Sequence, residues 1–81
     1  MLQVILSGTL RDAADDAASV AIEAATIREL LRKLVERYPK MQSRIDEGVA
    51  VSVNGEIYRD LRDLAIPEGA EVFLLPRIQG G

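Results

Sequence analysis

Apolar and polar positions alternate in four stretches of the chain, and one helical stripe lies between them. From Leu2 to Ser7, Val4 and Leu6 fall on one side, with Gln3, Ile5 and Ser7 on the other, which predicts a strand that Gly8 ends. Val20 and Ile22 mark the inward face of a second strand, Ser19 to Glu23, so the first two strands make a hairpin with a long connection. Val49, Val51 and Val53 alternate with Ala50 and Ser52 in a third strand. Asn54-Gly55 then signals a two-residue turn, because both central positions of a type I′ turn need positive φ, and a short return strand, Glu56 to Tyr58, follows. In the final strand, Glu71 to Leu75, Val72 and Leu74 share one face while Phe73 and Leu75 take the other.

The helical stripe is Ile27, Leu30, Leu31, Leu34, Val35 and Tyr38, one continuous apolar face whose burial against a sheet is expected. Thr26-Ile27-Arg28-Glu29 fits a capping box, with the Thr26 hydroxyl accepting from the Glu29 N–H and the Glu29 carboxylate reaching back to the Thr26 N–H. Glu29 and Lys33 stand in the favourable acid-before-base order at i,i+4, and Pro39 ends the helix. Residues 9–18 show no apolar stripe beyond Leu10 and carry clustered aspartates, so a solvated loop with at most one helical turn is expected. Between Lys40 and Gly48 a connection is expected, with Met41 and Ile45 holding a short turn of helix to the domain. Residues 59–70 read as irregular chain pinned by Leu61, Leu64 and Ile66, with a turn at Pro67-Glu68-Gly69. The order β-β-α-β-β-β predicts an α+β domain spanning residues 1–81. One main helix packs on one face of a small mixed sheet, the first and last strands lie side by side in parallel, and residues 77–81 form an exposed tail.

Composition narrows the chemistry. Eighty-one residues support one small core, and 48% hydrophobic with 28% charged residues is a globular balance. A net charge of −3 with dispersed basic residues argues against nucleic acid as a partner. Cysteine and histidine are both absent, which removes disulfides, Cys/His metal sites and Ser-His or Cys-His catalytic pairs. No carboxylate pair sits in a recognisable motif, so an independent enzyme is not expected. No apolar run approaches the roughly 20 residues that span a bilayer, and the start of the chain lacks a secretion signal, so a cytoplasmic protein without a membrane partner is expected.

The distinctive chemistry lies at the end, Leu75-Pro76-Arg77-Ile78-Gln79-Gly80-Gly81. Gly80 and Gly81 have no Cβ and can enter a narrow channel, while Pro76 stops the strand from continuing into the tail. The Gly81 carboxylate is then the reactive group this domain presents. A carboxylate is a poor acyl donor until it is activated, and the chain has no phosphate-binding glycine loop with which to activate itself. The plainer alternative is a frayed terminus that happens to end in two glycines.

The order of elements, Val53-Asn54-Gly55-Glu56, Gly69-Ala70-Glu71-Val72 and the Leu75–Gly81 ending resemble the ubiquitin-like sulfur carriers of the MoaD/ThiS family. The Leu75-Pro76 ending and the length lean toward the MoaD-like branch, the molybdopterin synthase small subunit. The resemblance implies a ubiquitin-like β-grasp fold. It implies that an E1-like adenylating enzyme of the MoeB/ThiF type activates Gly81 with ATP and Mg²⁺, while this chain itself binds no cofactor or metal. A sulfur donor enzyme would then convert Gly81 to a thiocarboxylate, and a synthase subunit of the MoaE type would accept the sulfur if the product is molybdopterin. Thiamine and cysteine synthesis stay open as destinations. The chain departs from the family pattern at Ala70, where an aspartate is common, and at Ser7-Gly8, where molybdopterin-type carriers carry aromatic residues.

The alternation adds a docking patch. Phe73 and Leu75 point away from the helix, Ile5 joins them from the neighbouring strand, and Pro76, Arg77 and Ile78 lead from the patch into the tail. Partial burial of Phe73 and Leu75 beneath residues 59–70 is the alternative, as is a solvated Arg77. Two other functions share the fold: a ubiquitin-like modifier joined through Gly81 to lysines of other proteins, and an interaction module with an inert tail.

Overall fold

A computed structural model describes residues 1–58 and 63–76. Five strands, β1 (Leu2–Leu6), β2 (Ser19–Ile22), β3 (Val49–Val53), β4 (Glu56–Tyr58) and β5 (Glu71–Pro76), form one mixed sheet in the order β2-β1-β5-β3-β4. The central pair, β1 and β5, is parallel, with Val4 opposite Val72 and Leu6 opposite Leu74; the other pairs are antiparallel. The strands lie where the period-two alternation put them. Val4, Leu6, Val20, Ile22, Val51, Val53, Val72 and Leu74 all turn into one core.

Three helices cover that face: α1 (Thr9–Ala13), α2 (Ile27–Arg37) and α3 (Met41–Glu47). α2 begins as its capping sequence dictates, with the Glu29 N–H donating to Thr26 Oγ1 at 3.2 Å. The return arm of the box differs from expectation: Glu29 Oε1 accepts from the Ala25 N–H at 2.7 Å, one residue upstream of the cap. Residues 64–66 also pair with this entry to the helix. Ile27 N–H donates to Leu64 O, Ile66 N–H donates to Ala25 O, and Thr26 and Ala65 bridge. Ile27, Leu30, Leu31 and Leu34 are buried, and Val35 and Tyr38 pack half-buried at the margin. The expected Glu29–Lys33 pair does not form: Arg32 sits between Glu29 and Glu36, and Lys33 turns to the carbonyl of Glu23, just past the end of β2.

The segment 9–18 corrects the expectation of a solvated loop. α1 buries Leu10, Ala13 and Ala14, with Leu10 and Ala14 wholly inaccessible. These positions are i, i+3 and i+4, a helical stripe in which two members are alanine, small enough to bring the helix close to its neighbours. Asp15 and Asp16 follow with φ of 54° and 66°, and turn the chain back into β2. α3 realises the short helix around Met41 and Ile45, both buried. Of the expected anchors in 59–70, Ile66 is buried and Leu64 half-buried, whereas Leu61 lies outside the described residues.

The Asn54-Gly55 turn forms with φ of 49° and 91°. Asn54 also binds the start of β5: its N–H donates to Glu71 O at 2.9 Å, and its Oδ1 accepts from the Glu71 N–H at 3.0 Å. Asn54→Ala removes the second bond and places a Cβ-bearing residue without a compensating side-chain acceptor at positive φ. Urea unfolding of this variant is expected to show a loss of about 1–3 kcal/mol. An unchanged midpoint would mean that the side chain does not join hairpin to strand.

Candidate functional site: the open sheet face and the end of β5

The face of the sheet opposite the helices is built by the residues that alternate with the core. Ile5 and Phe73 are register partners in the parallel β1–β5 pair. Phe73 is opposite Ser52, and Ser52 is opposite Ile57 on β4. The row Ile5-Phe73-Ser52-Ile57 therefore crosses four strands. Leu75, two residues along β5 from Phe73, stands opposite Ala50 in the next row. Ile5, Phe73, Leu75 and Ala50 are half-buried, Ser52 is 8% exposed, and Ile57 is 58% exposed. The structure thus brings the predicted residues Ile5, Phe73 and Leu75 into one apolar surface.

Ile57 was missed in the sequence, although its signal is present. A two-residue turn at Asn54-Gly55 pairs Val53 with Glu56, which puts residue 57 opposite residue 52 and on the face away from the valines. Its neighbour Tyr58 faces the core side and donates its hydroxyl to Glu56 Oε2 at 2.6 Å, a bond that raises the phenol pKa above its ordinary value.

Pro76 ends β5 opposite Val49 and close to Gly8, where a Cβ built on the glycine would stand 3.6 Å from the proline ring. Gly8, with φ 61° and ψ −135°, is in a region that L side chains rarely adopt, and it is there that the chain swings from β1 into α1. β1 is thereby led away at the point where β5 delivers the chain to Arg77. The predicted residues Arg77, Ile78, Gly80 and Gly81 lie outside the described residues. Among the described residues no cluster of three or more acidic side chains is placed to hold a metal ion, and no helix is long and apolar enough to cross a membrane.

A five-stranded mixed sheet with a parallel central pair and one long helix across one face defines a ubiquitin-like β-grasp protein. Solved structures share this fold over nearly the whole chain. SAMP1 from Haloferax volcanii is 27% identical with a TM-score of 0.79, covering 99% of this chain and 98% of its own. CysO, in its complex with BexX from Amycolatopsis orientalis, is 21% identical with a TM-score of 0.80, covering all of both chains. A putative molybdopterin converting factor subunit 1 from Pyrococcus furiosus is 23% identical with a TM-score of 0.79, covering 95% and 97%. No curated protein matches the chain by sequence. The family model of ThiS matches residues 4–81, and the chain belongs to the ThiS family.

Proposed function

We propose that this chain is a sulfur carrier whose Gly81 carboxylate is adenylated by an E1-like enzyme and converted to a thiocarboxylate that gives up its sulfur in biosynthesis. The observation that carries the reading is the ThiS family match, which extends through Gly80 and Gly81. The carboxylate attacks the α-phosphorus of ATP on the activating enzyme, which holds the Mg²⁺, and pyrophosphate leaves. Hydrosulfide released by a donor enzyme then adds to the Gly81 carbonyl and AMP leaves, so that the tail carries a thiocarboxylate. The chain is cosubstrate rather than catalyst in both steps. Its contribution is to dock through Ile5, Phe73, Leu75 and Ile57 while Pro76, Arg77 and Ile78 carry Gly80-Gly81 into the partner's site.

Molybdopterin synthesis is the preferred destination, with a MoaE-type subunit accepting the sulfur, because the Leu75-Pro76 ending is MoaD-like and the fold matches a putative molybdopterin converting factor subunit. Thiamine and cysteine synthesis use the same activation. The likeness to SAMP1, from a class of small archaeal modifier proteins, supports a second reading in which activated Gly81 is joined to lysine amines of other proteins. Such a carrier works in the cytoplasm, where ATP and its enzymes are.

The docking role is tested by ATP–pyrophosphate exchange on the cognate activating enzyme. Phe73→Ser is expected to raise the KM for this chain about tenfold, the effect of losing roughly 1.4 kcal/mol at an interface centre, with kcat little changed and circular dichroism confirming a folded variant. An unchanged KM would remove the open face from the docking site. Exchange with neither the wild-type chain nor any cognate activating enzyme would remove the adenylation step itself.

A further inference from the structure

β2 is an edge strand, and an edge strand offers unpaired backbone groups to any strand that can reach them. Leu6 N–H donates to Ala18 O at 2.9 Å, which sets the parity of the β1–β2 ladder. In an antiparallel ladder the backbone groups alternate in direction, so Val20 and Ile22 turn theirs toward β1 while Ser19, Ala21 and Glu23 turn theirs outward. Two of these outward carbonyls are occupied. Arg37 Nη1 donates to Ala21 O at 3.2 Å, and Lys33 Nζ donates to Glu23 O at 2.6 Å. Both cations come from α2, and neither belongs to an ion pair among the described residues.

The spacing is a physical match between two kinds of element. Four residues of helix rise about 6 Å, and two residues of strand advance about 6.7 Å. Cations at i and i+4 of a helix lying along a strand therefore meet successive outward carbonyls.

We propose that Lys33 and Arg37 hold the β2 edge closed, and that the strand they exclude is β2 of a second copy of this chain. A two-fold antiparallel pairing centred on Ala21 is self-complementary: it sets Ala21 against Ala21 and Ser19 against Glu23, and each copy offers the same outward groups. The cations oppose it twice, by occupying the carbonyls it needs and by bringing two like-charged pairs together across the axis. A monomer keeps the open face and the end of β5 free for other partners.

The test is sedimentation or light scattering of the full chain with Lys33→Met and Arg37→Met combined, which keeps the aliphatic stems and helix propensity. The wild type is expected at the 8.9 kDa of one chain. The double variant is expected to move toward twice that mass, with at least a tenfold stronger self-association. Adding Ala21→Pro, which deletes an outward N–H that an edge strand can spare, is expected to return the variant to a single chain. Circular dichroism verifies that each variant is folded. A folded double variant that stays monomeric overturns the proposal. So does a triple variant that still pairs, or a double variant that unfolds, since the two cations would then be structural rather than protective.

Discussion

Deletion of Gly81 is expected to abolish ATP-dependent sulfur loading of the chain and to leave its melting temperature within about a degree of wild type. The first half follows from the proposed chemistry. The activating enzyme must bring one carboxylate to the α-phosphorus of ATP, and reacting groups misplaced by even about 1 Å lose rates of order a hundredfold. Removing Gly81 withdraws the carboxylate by a whole residue and puts that of Gly80 in its place, too short to reach. The second half follows from where the core lies. Among the described residues every buried core residue falls between Leu2 and Leu74, and the deletion removes none of these. Loading is read by intact mass and stability by thermal melting. A deletion variant that still loads would place the reactive group elsewhere, and one that unfolds would make Gly81 part of the fold.

The second large effect is on stability. Leu34→Ala is expected to cost about 2–5 kcal/mol in urea unfolding. Leu34 is wholly inaccessible, on the face of α2 that lies over the sheet, and it belongs to the single core shared by all three helices. Alanine keeps the helix propensity, so the loss reports the cavity and the lost burial rather than the backbone. Leu31→Ala, at 4% exposure, belongs to the same class and is expected in the same range. A cost below about 1 kcal/mol would mean that the α2 stripe is not the centre of the core.

Much of this fold was legible because its strongest signals are local. β-Branched residues at alternate positions in Val49–Val53 leave little choice but a strand, and Asn54-Gly55 fixes the register of the hairpin after it. The stripe from Ile27 to Tyr38 specifies both a helix and the face it buries. α1 was not legible in the same way. Its buried stripe is one leucine and two alanines, and alanine carries too little apolar area to announce its own burial. The side-chain reach of Lys33, Arg37 and Glu29 also escaped sequence reading. Lys33 and Arg37 reach carbonyls ten and sixteen residues back in the chain, which helix spacing alone does not reveal, and Glu29 caps the Ala25 N–H rather than that of Thr26.

The site was legible in proportion to its regularity. Alternation placed Ile5, Phe73 and Leu75 on the open face, and the parallel pairing of first and last strands brought Ile5 beside Phe73. Ile57 completes the row only once the turn type has set the register of β4. The chemistry assigned to Gly80 and Gly81 rests on residue type and family rather than on geometry, since both lie outside the described residues.

The most direct measurement is the intact mass of the chain after incubation with its cognate E1-like enzyme, ATP, Mg²⁺ and a sulfur donor. The sulfur-carrier reading predicts a gain equal to one oxygen replaced by one sulfur, dependent on ATP and mapped to Gly81 by fragmentation. An unchanged mass alongside active adenylating enzyme, or amide-linked adducts to lysines in place of that gain, would contradict it.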